Sequence, residues 1–375
     1  MSVRPVSPPV QSPSSRADAC SPPQWADPSR ATAFAIWLEG LRVSHGLDVH
    51  TLRPASADAS FRRYLRVDTA CGSRIIMDAP PDKEDCAPFV QVAKLMAAAG
   101  LNVPEVLAWE PSQGFMLLSD LGDRDMMQTL QLEPPHAALT YFVGAIDALV
   151  TWQLASAPGV LPACDGAMLL REMELFPQWY LTQYRGVALD DSMRHTLDQA
   201  FRTIVAENLA GPSVYVHCDF MPRNLMLPPA TAGGSPVDPR IGILDFQDAV
   251  YGPITYDIAS LMRDAFLSWE EDFVLEVTIR YWEKARSAGL PVGRDFGAFY
   301  RAVEWMGLQR HLRVAGIFAR LTMRDGKPRY LADTPRFIGY IRSTAARYRE
   351  LKPLLRLVDK VEGIQDAGAY VFGRV

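Results

Sequence analysis

Val214-Tyr-Val-His217-Cys218-Asp219-Phe-Met-Pro-Arg223-Asn224-Leu-Met-Leu227 is followed, after a Pro/Gly-rich connection, by Ile241-Gly-Ile-Leu-Asp245-Phe246-Gln247-Asp248. Two short apolar runs, each of strand length, deliver a carboxylate at their ends. Asn224 follows Asp219 by five residues. A lone Asp after an apolar run is more often a solvated cap. An ordered set of His, Asp, Asn and Asp-Phe on two strand ends is much harder to obtain by accident.

The order H-x-D-x-x-x-x-N is that of a kinase catalytic loop, and Asp245-Phe246 takes the place of D-F-G. Phosphoryl transfer asks the protein mainly for positioning and charge neutralisation. Asp219 suits the acceptor hydroxyl, orienting it and taking its proton. Mg2+ favours oxygen ligands, a few of them from protein; Asn224 and Asp245 suit that role. His217 reads as a structural hydrogen-bonder within the loop, and Cys218 as a packing residue rather than a nucleophile.

The remainder of the chain agrees with a soluble enzyme. Its 375 residues suffice for two domains or one large one, and 49% are apolar. A net charge of −5 argues against a nucleic-acid or anionic-membrane surface. No apolar run approaches the roughly 20 residues that span a bilayer. Five cysteines, odd in number and without C-x-x-C spacing, fit a reducing cytoplasm better than a disulfide or zinc framework.

Outward from the central stretch, residues 1–26 are Pro/Ser/Ala-rich and read as a disordered tail. Asp27-Pro28 opens a helix over 31–43 with Phe34, Trp37, Leu38 and Leu41 on one face. Between 51 and 118 the pattern predicts two hairpins, 61–67 with 74–78 and 103–109 with 114–118, flanking a helix over 84–99 that Gly100 stops. Downstream, amphipathic helices are expected over 134–156, 169–184, 192–209, 253–266, 270–288, 296–321 and 335–351. The expectation is an α+β, two-lobed protein-kinase-like fold: 27–118 a small β-rich nucleotide lobe, 119–123 a hinge, 124–375 a larger helical lobe.

The chain resembles the aminoglycoside phosphotransferase family of small-molecule kinases from about residue 30 to 360. Within it the strings Ala59-Ser-Phe-Arg-Arg-Tyr64, Ile76-Met-Asp-Ala-Pro-Pro81, Leu244-Asp-Phe-Gln-Asp-Ala-Val-Tyr-Gly-Pro253 and Leu308-Gln-Arg-His-Leu-Arg313 resemble the bacterial anomeric kinases of N-acetylmuramate and N-acetylglucosamine. The resemblance implies ATP and Mg2+ as cofactors, Asp219 as base, and Asn224 and Asp245 as metal ligands. It implies Asp257 as a helix residue that bonds back to the catalytic loop, where a solvent-facing carboxylate is the plainer alternative. It further implies a monomer acting on a small sugar.

Two departures stand out. The phosphate-covering loop Ala57-Asp58-Ala59-Ser60-Phe61 holds no glycine, so Ser60, Phe61 and Arg62 are the candidates for nucleotide contact, with Ser119 and Leu121 at the hinge. The Lys that kinases place on the following strand is replaced by Ile75-Ile76-Met77-Asp78. Arg62, Arg63, Arg74, Lys83 or Lys94 could supply its charge. For the acceptor, Trp179, Trp305, Gln309 and Arg313 are candidates; the last three share one helix face by their spacing. The alternative places Trp305 in the core and Arg313 on a solvated face. Other acceptors (an aminoglycoside, choline, homoserine) and a non-catalytic nucleotide-binding regulator remain open readings.

Overall fold

The computed structural model describes residues 24–25, 27–56, 61–132, 138–228 and 240–364. In chain order the elements are α1 (Pro28–Arg42), β1 (Leu47–Ser56), β2 (Arg63–Thr69), β3 (Gly72–Asp78), α2 (Ala87–Ala98), β4 (Val106–Glu110), β5 (Phe115–Ser119), α3 (Met126–Leu132) and α4 (Ala138–Leu154). There follow α5 (Gly166–Met173), a π-helix (Phe176–Tyr184), α6 (Asp191–Leu209), β6 (Ser213–Val216), β7 (Leu225–Met226), β8 (Gly242–Ile243) and β9 (Val250–Pro253). The chain then runs through α7 (Tyr256–Met262), α8 (Glu271–Ser287), α9 (Phe296–Met323), α10 (Thr334–Arg347) and α11 (Lys352–Glu362). The described residues pack as two units, 24–152 with 222–248 and 153–221 with 249–364.

In the first unit an antiparallel sheet of order β1-β2-β3-β5-β4 forms the frame. Alternation sends Leu65, Val67, Ile76, Phe115 and Leu117 to one face, where Phe34 and Leu38 of α1 cover them. Their neighbours Met77, Met116 and Leu118 are buried on the other face. Asp27 caps α1 by accepting the Ser29 N–H at 2.8 Å. β1 tolerates Pro54 because it lies at the sheet edge, with a neighbour on one side only. Gln24 and Trp25, placed in the tail by composition, pack on this unit: Arg63 donates to the Gln24 carbonyl at 2.7 Å and lies 4.1 Å over the Trp25 ring.

The second unit is helical around α9, whose residues 303–312 are almost wholly buried. A core of Phe176, Leu197, Phe201, Leu308, Leu312, Phe337 and Leu354 joins the π-helix, α6, α9, α10 and α11. The small sheet and the helical unit bear out the α+β kinase-like expectation, with local differences. Residues 169–184, expected as one helix, divide into α5 and the π-helix, with Pro177 at the start of the latter. The expected helix from 253 begins at Tyr256, because Pro253 pairs with Ser213 at the end of β9.

Gly316 sets how closely α9 lies against the turn entering the π-helix. A Cβ there would stand 2.4 Å from the Leu175 carbonyl carbon and 2.5 Å from its oxygen. Backbone cannot yield as a flexible side-chain tip can, so the helices must separate. Gly316→Ala is therefore expected to destabilise the protein by about 1–3 kcal/mol in denaturant melts. Gly339→Ala on α10, where nothing lies within 4 Å, is the control, expected to be neutral or stabilising by up to about 1 kcal/mol.

Candidate active site

Asp219 is set by the ladder before it and by the helix after its partner strand. β6 pairs antiparallel with β9, Val216 opposite Val250, and ends just before His217. There the ladder is replaced by a side chain. Asp257, in the first turn of α7, accepts the His217 N–H at 2.7 Å on Oδ2 and the Cys218 N–H at 3.1 Å on Oδ1. Cys218 is left-handed, with φ 77°, a conformation that costs a non-glycine residue about 1–3 kcal/mol. Arg310 of α9 secures it from the other side, donating to the Cys218 carbonyl at 2.6 Å and lying 3.7 Å from Asp219 Oδ1. His217 Nδ1 accepts the Asp219 N–H at 3.2 Å. The Asp219 side chain is about a third exposed, whereas Asp257 is fully buried.

The chemistry of each group follows from this burial. Burial pushes the Asp257 carboxyl up to about 7, against the N–H groups of His217 and Cys218 and the Arg310 charge, which pull it down. Burial pushes the Cys218 thiol far above its ordinary range, with Asp257 and Asp219 adding to it, so it stays protonated and packs.

Beside this loop lies a polar cluster built across α5, α7 and α9. Glu172 accepts from Gln309 Nε2 at 2.8 Å and lies 3.4 Å from Arg313 Nε. Arg313 donates to the Tyr256 hydroxyl at 2.9 Å, and the Arg310 guanidinium stands 5.0 Å over the Tyr256 ring. Gln309 Oε1 is buried without a hydrogen-bond partner. Burial works against the Arg313 charge, but Tyr256, Asp219 and Glu172 hold it firmly protonated. Gln309 and Arg313 thus join the surroundings of Asp219. Trp305 does not: it is fully buried, 5.4 Å from the Tyr348 ring with Arg301 4.8 Å above it. Trp179 rests half-buried on the π-helix against the helical core. Just after α7, Arg263 bonds Glu271 at 2.9 Å, and buried Asp264 accepts the Phe266 N–H at 2.7 Å.

The Asn and the second Asp are brought together in the first unit by another two-residue ladder. β7 pairs with β8, Leu225 opposite Ile243, and the Leu244 N–H donates to the Asn224 carbonyl at 2.9 Å. Beyond this ladder Asp245 is left-handed, φ 63°. Its Oδ2 lies 3.4 Å from Asn224 Nδ2, and its Oδ1 accepts from Gln247 Nε2 at 2.9 Å. Phe246 is buried with its ring 4.8 Å from that of Phe89 on α2. One carboxylate beside one amide is a donor set that suits Mg2+ completed by phosphate and water. Among the described residues, no group of three or more His, Cys, Asp and Glu side chains could hold a metal.

Of the nucleotide candidates, Ser60 lies outside the described residues, and Phe61 beside it is 65% exposed. Arg62 forms an ion pair with Glu84 at 3.1 Å. Ser119 closes β5, its hydroxyl accepting the Glu105 N–H at 2.8 Å. Asp120 is bound by Arg66 at 2.6 Å and Ser73 at 2.7 Å. Leu121 packs on Gly242, where a Cβ would come within 2.8 Å of it. Glu172, Tyr256 and Glu84 were not singled out from sequence as site residues, and they carry no local signal. Arg310 adjoins the face that i, i+4 spacing picks out.

Comparison with known proteins places the chain in a wider group. A family model described as "Phosphotransferase enzyme family" matches residues 51–296. A protein of Neisseria meningitidis serogroup B named "N-acetylmuramate/N-acetylglucosamine kinase" is 48% identical over 334 residues, covering 88% of this chain and 95% of its own. One of the same name from Pseudomonas aeruginosa is 48% identical over 340 residues, covering 89% and 97%. A choline/ethanolamine kinase family protein from Mesorhizobium loti shares the fold, with a TM-score of 0.56, 14% identity and coverage of 88% and 99%. The GDP complex of wild-type aminoglycoside 2'-phosphotransferase-IIIa does likewise, with a TM-score of 0.55, 13% identity and coverage of 84% and 99%.

Asp257 has a pH signature. Its proton is held in the folded state up to about pH 7 and released by an unfolded chain near 3.8. Its contribution to stability is thus full below about pH 4 and is lost as pH rises through about 7. Wild-type protein should lose stability relative to Asp257→Asn across that window, by on the order of 4 kcal/mol. Parallel pH–stability curves for the two proteins would show that the carboxyl titrates normally.

Proposed function

The chain belongs to the phosphotransferase enzyme family, and on that premise we propose that it is an ATP-dependent kinase of the anomeric hydroxyl of N-acetylmuramate and/or N-acetylglucosamine, yielding the sugar 1-phosphate. What carries the reading is near-half identity over nearly the full length of proteins bearing that name. ATP as donor, Mg2+ as its metal and a cytoplasmic setting are parts of the proposal. Among the described residues no helix is long and apolar enough to cross a membrane.

Asp219 is the base. Its carboxylate accepts a hydrogen bond from the sugar hydroxyl, whose oxygen attacks the γ-phosphorus as the bond to the β,γ-bridging oxygen breaks. The proton passes to Asp219 and ADP leaves. The anomeric hydroxyl suits a carboxylate base because the ring oxygen withdraws electrons and makes it more acidic than other sugar hydroxyls. Asn224 and Asp245 would hold Mg2+, which when bound neutralises the charge of the β- and γ-phosphates. Ser60, Phe61 and Arg62 are assigned to the phosphates, and the backbone around Ser119 and Leu121 to the base. His217 and Asp257 support the loop.

The acceptor reading rests on the Glu172–Gln309–Arg313 cluster. The unpartnered Gln309 Oε1 is an acceptor suited to an acetamido N–H, Arg313 presents donors suited to a lactyl carboxylate, and its firm charge disfavours a polycationic acceptor. Trp179 is retained as a candidate sugar platform. Trp305 would act only by packing beneath the cluster.

Asp219→Asn should lower kcat by about 10²–10⁴-fold with the melting temperature unchanged. Turnover at the wild-type rate would refute the assignment. ATP consumption should be seen with N-acetylmuramate and N-acetylglucosamine and vanish when the anomeric hydroxyl is methylated. Activity confined to kanamycin, choline or homoserine would replace the acceptor, and nucleotide binding without turnover would indicate a regulator. Arg313→Leu should cost about 10–100-fold in kcat/KM, more on N-acetylmuramate than on N-acetylglucosamine. An unchanged ratio between the sugars would leave Arg313 no part in reading the lactyl group.

A further inference from the structure

We propose that Arg62, held by Glu84, supplies the phosphate-binding cation that kinases ordinarily carry as a Lys on the strand behind the phosphate loop. The inference rests on the ATP-dependent reading above.

The need is plain from β3. Ile76 on one face and Met77 on the other are both fully buried and without charge. Five cations near this strand could substitute, and the structure separates them. Arg63 is committed to Asp78, to the Gln24 carbonyl at 2.7 Å and to the Trp25 ring. Arg74 stands toward the opposite end of β3, across from Ser119, and donates to the Ser73 carbonyl at 2.9 Å. Lys83 is half exposed beside Asp82, and Lys94 is exposed on α2.

Arg62 differs in three respects. Its side chain is only 10% exposed. It pairs with Glu84, 17% exposed, at 3.1 Å, tying the start of β2 to the segment that leads into α2. That pairing links the approach to a strand with the approach to a helix, where the kinase Lys–Glu pair links the strand and helix themselves. Lastly, it lies in the field of the candidate metal ligand. Burial works against its charge, but Tyr64, Glu84, Asp248 and Asp245 together raise it above the ordinary value for arginine. A guanidinium acted on by Glu84, Asp248 and Asp245 sits where negative charge already gathers. A magnesium-bound triphosphate would bring the positive metal to Asp245 and present phosphate oxygens to the arginine fork, which matches them better than a point charge does. Glu84 is the positioning residue in this scheme: its ion pair at 3.1 Å fixes the plane of the Arg62 fork.

The test compares binding of a nonhydrolysable ATP analogue with binding of adenosine, by calorimetry with Mg2+. Wild-type protein should bind the triphosphate more tightly. Arg62→Gln should weaken the triphosphate by about 10–100-fold and leave adenosine unchanged. Arg62→Lys, which keeps a charge in the same place, should recover part of the loss and guards against a folding failure of the first variant. Glu84→Gln should raise the KM for ATP with little change in kcat, and should add nothing when combined with Arg62→Gln. An Arg62→Gln protein that is folded, active and unaltered in triphosphate affinity overturns the proposal and leaves the kinase reading standing. Wild-type protein that binds neither ligand overturns both.

Discussion

The site depends first on one carboxylate with no solvent exposure. Asp257 is fully buried, yet its two oxygens take the N–H groups of consecutive residues, His217 and Cys218, where the β6–β9 ladder has ended. A strand running on would have turned Asp219 into another alternating ladder position. The tether instead holds Cys218 in the left-handed region and turns the chain so that Asp219 leaves the strand partly exposed. An unpaired buried carboxylate is very costly. Here the two N–H donors and the Arg310 charge offset part of that cost, and the arrangement persists because each group needs the other.

The Asn224–Asp245 arrangement obeys the same principle in a smaller space. A ladder of two residues, β7 with β8, places Asn224 and Asp245 just past its ends, and Asp245 again takes a positive φ. Both bent residues stand where a carboxylate leaves the strand direction, and each is over-determined by its neighbours. Asp245 is gripped through Gln247 and Asn224, and Phe246 is packed on Phe89. The short ladders define the register, and the bends beyond them define the aim.

This division explains which features were legible in sequence. Asp219, Asn224 and Asp245 were legible because their meaning lies in order and spacing within one local stretch. Asp257 was visible only as a family implication; its tether spans 40 residues. The Glu172 contact with Gln309 spans 137, and no local pattern announces it. Helical spacing put Trp305, Gln309 and Arg313 on one face, which they share, but spacing does not say that the face turns inward. Trp305 therefore lies in the core while Arg313 reaches Tyr256. Pro253 reads as a helix start by propensity, yet tertiary pairing with Ser213 keeps it extended.

The distribution of arginines on the sheet follows from the same competition between burial and charge. Asp78 ends β3 fully buried, and both Arg30 and Arg63 converge on it. Those contacts balance the strand end internally and tie α1 and β2 to it. A lysine placed further back on β3 would have to be buried with Val67 and Ile76 on one face or beside Met77 on the other, all without exposure, and would pay the desolvation of a compact ammonium before meeting any ligand. Arg62 avoids that penalty. It stands just before β2 rather than in the middle of β3, it has a longer side chain with a more weakly hydrated head, and Glu84 faces it at the entry to α2. Moving the cation off the strand and onto its approach lets the sheet keep an apolar interior, while its charge remains in the field of Asp245.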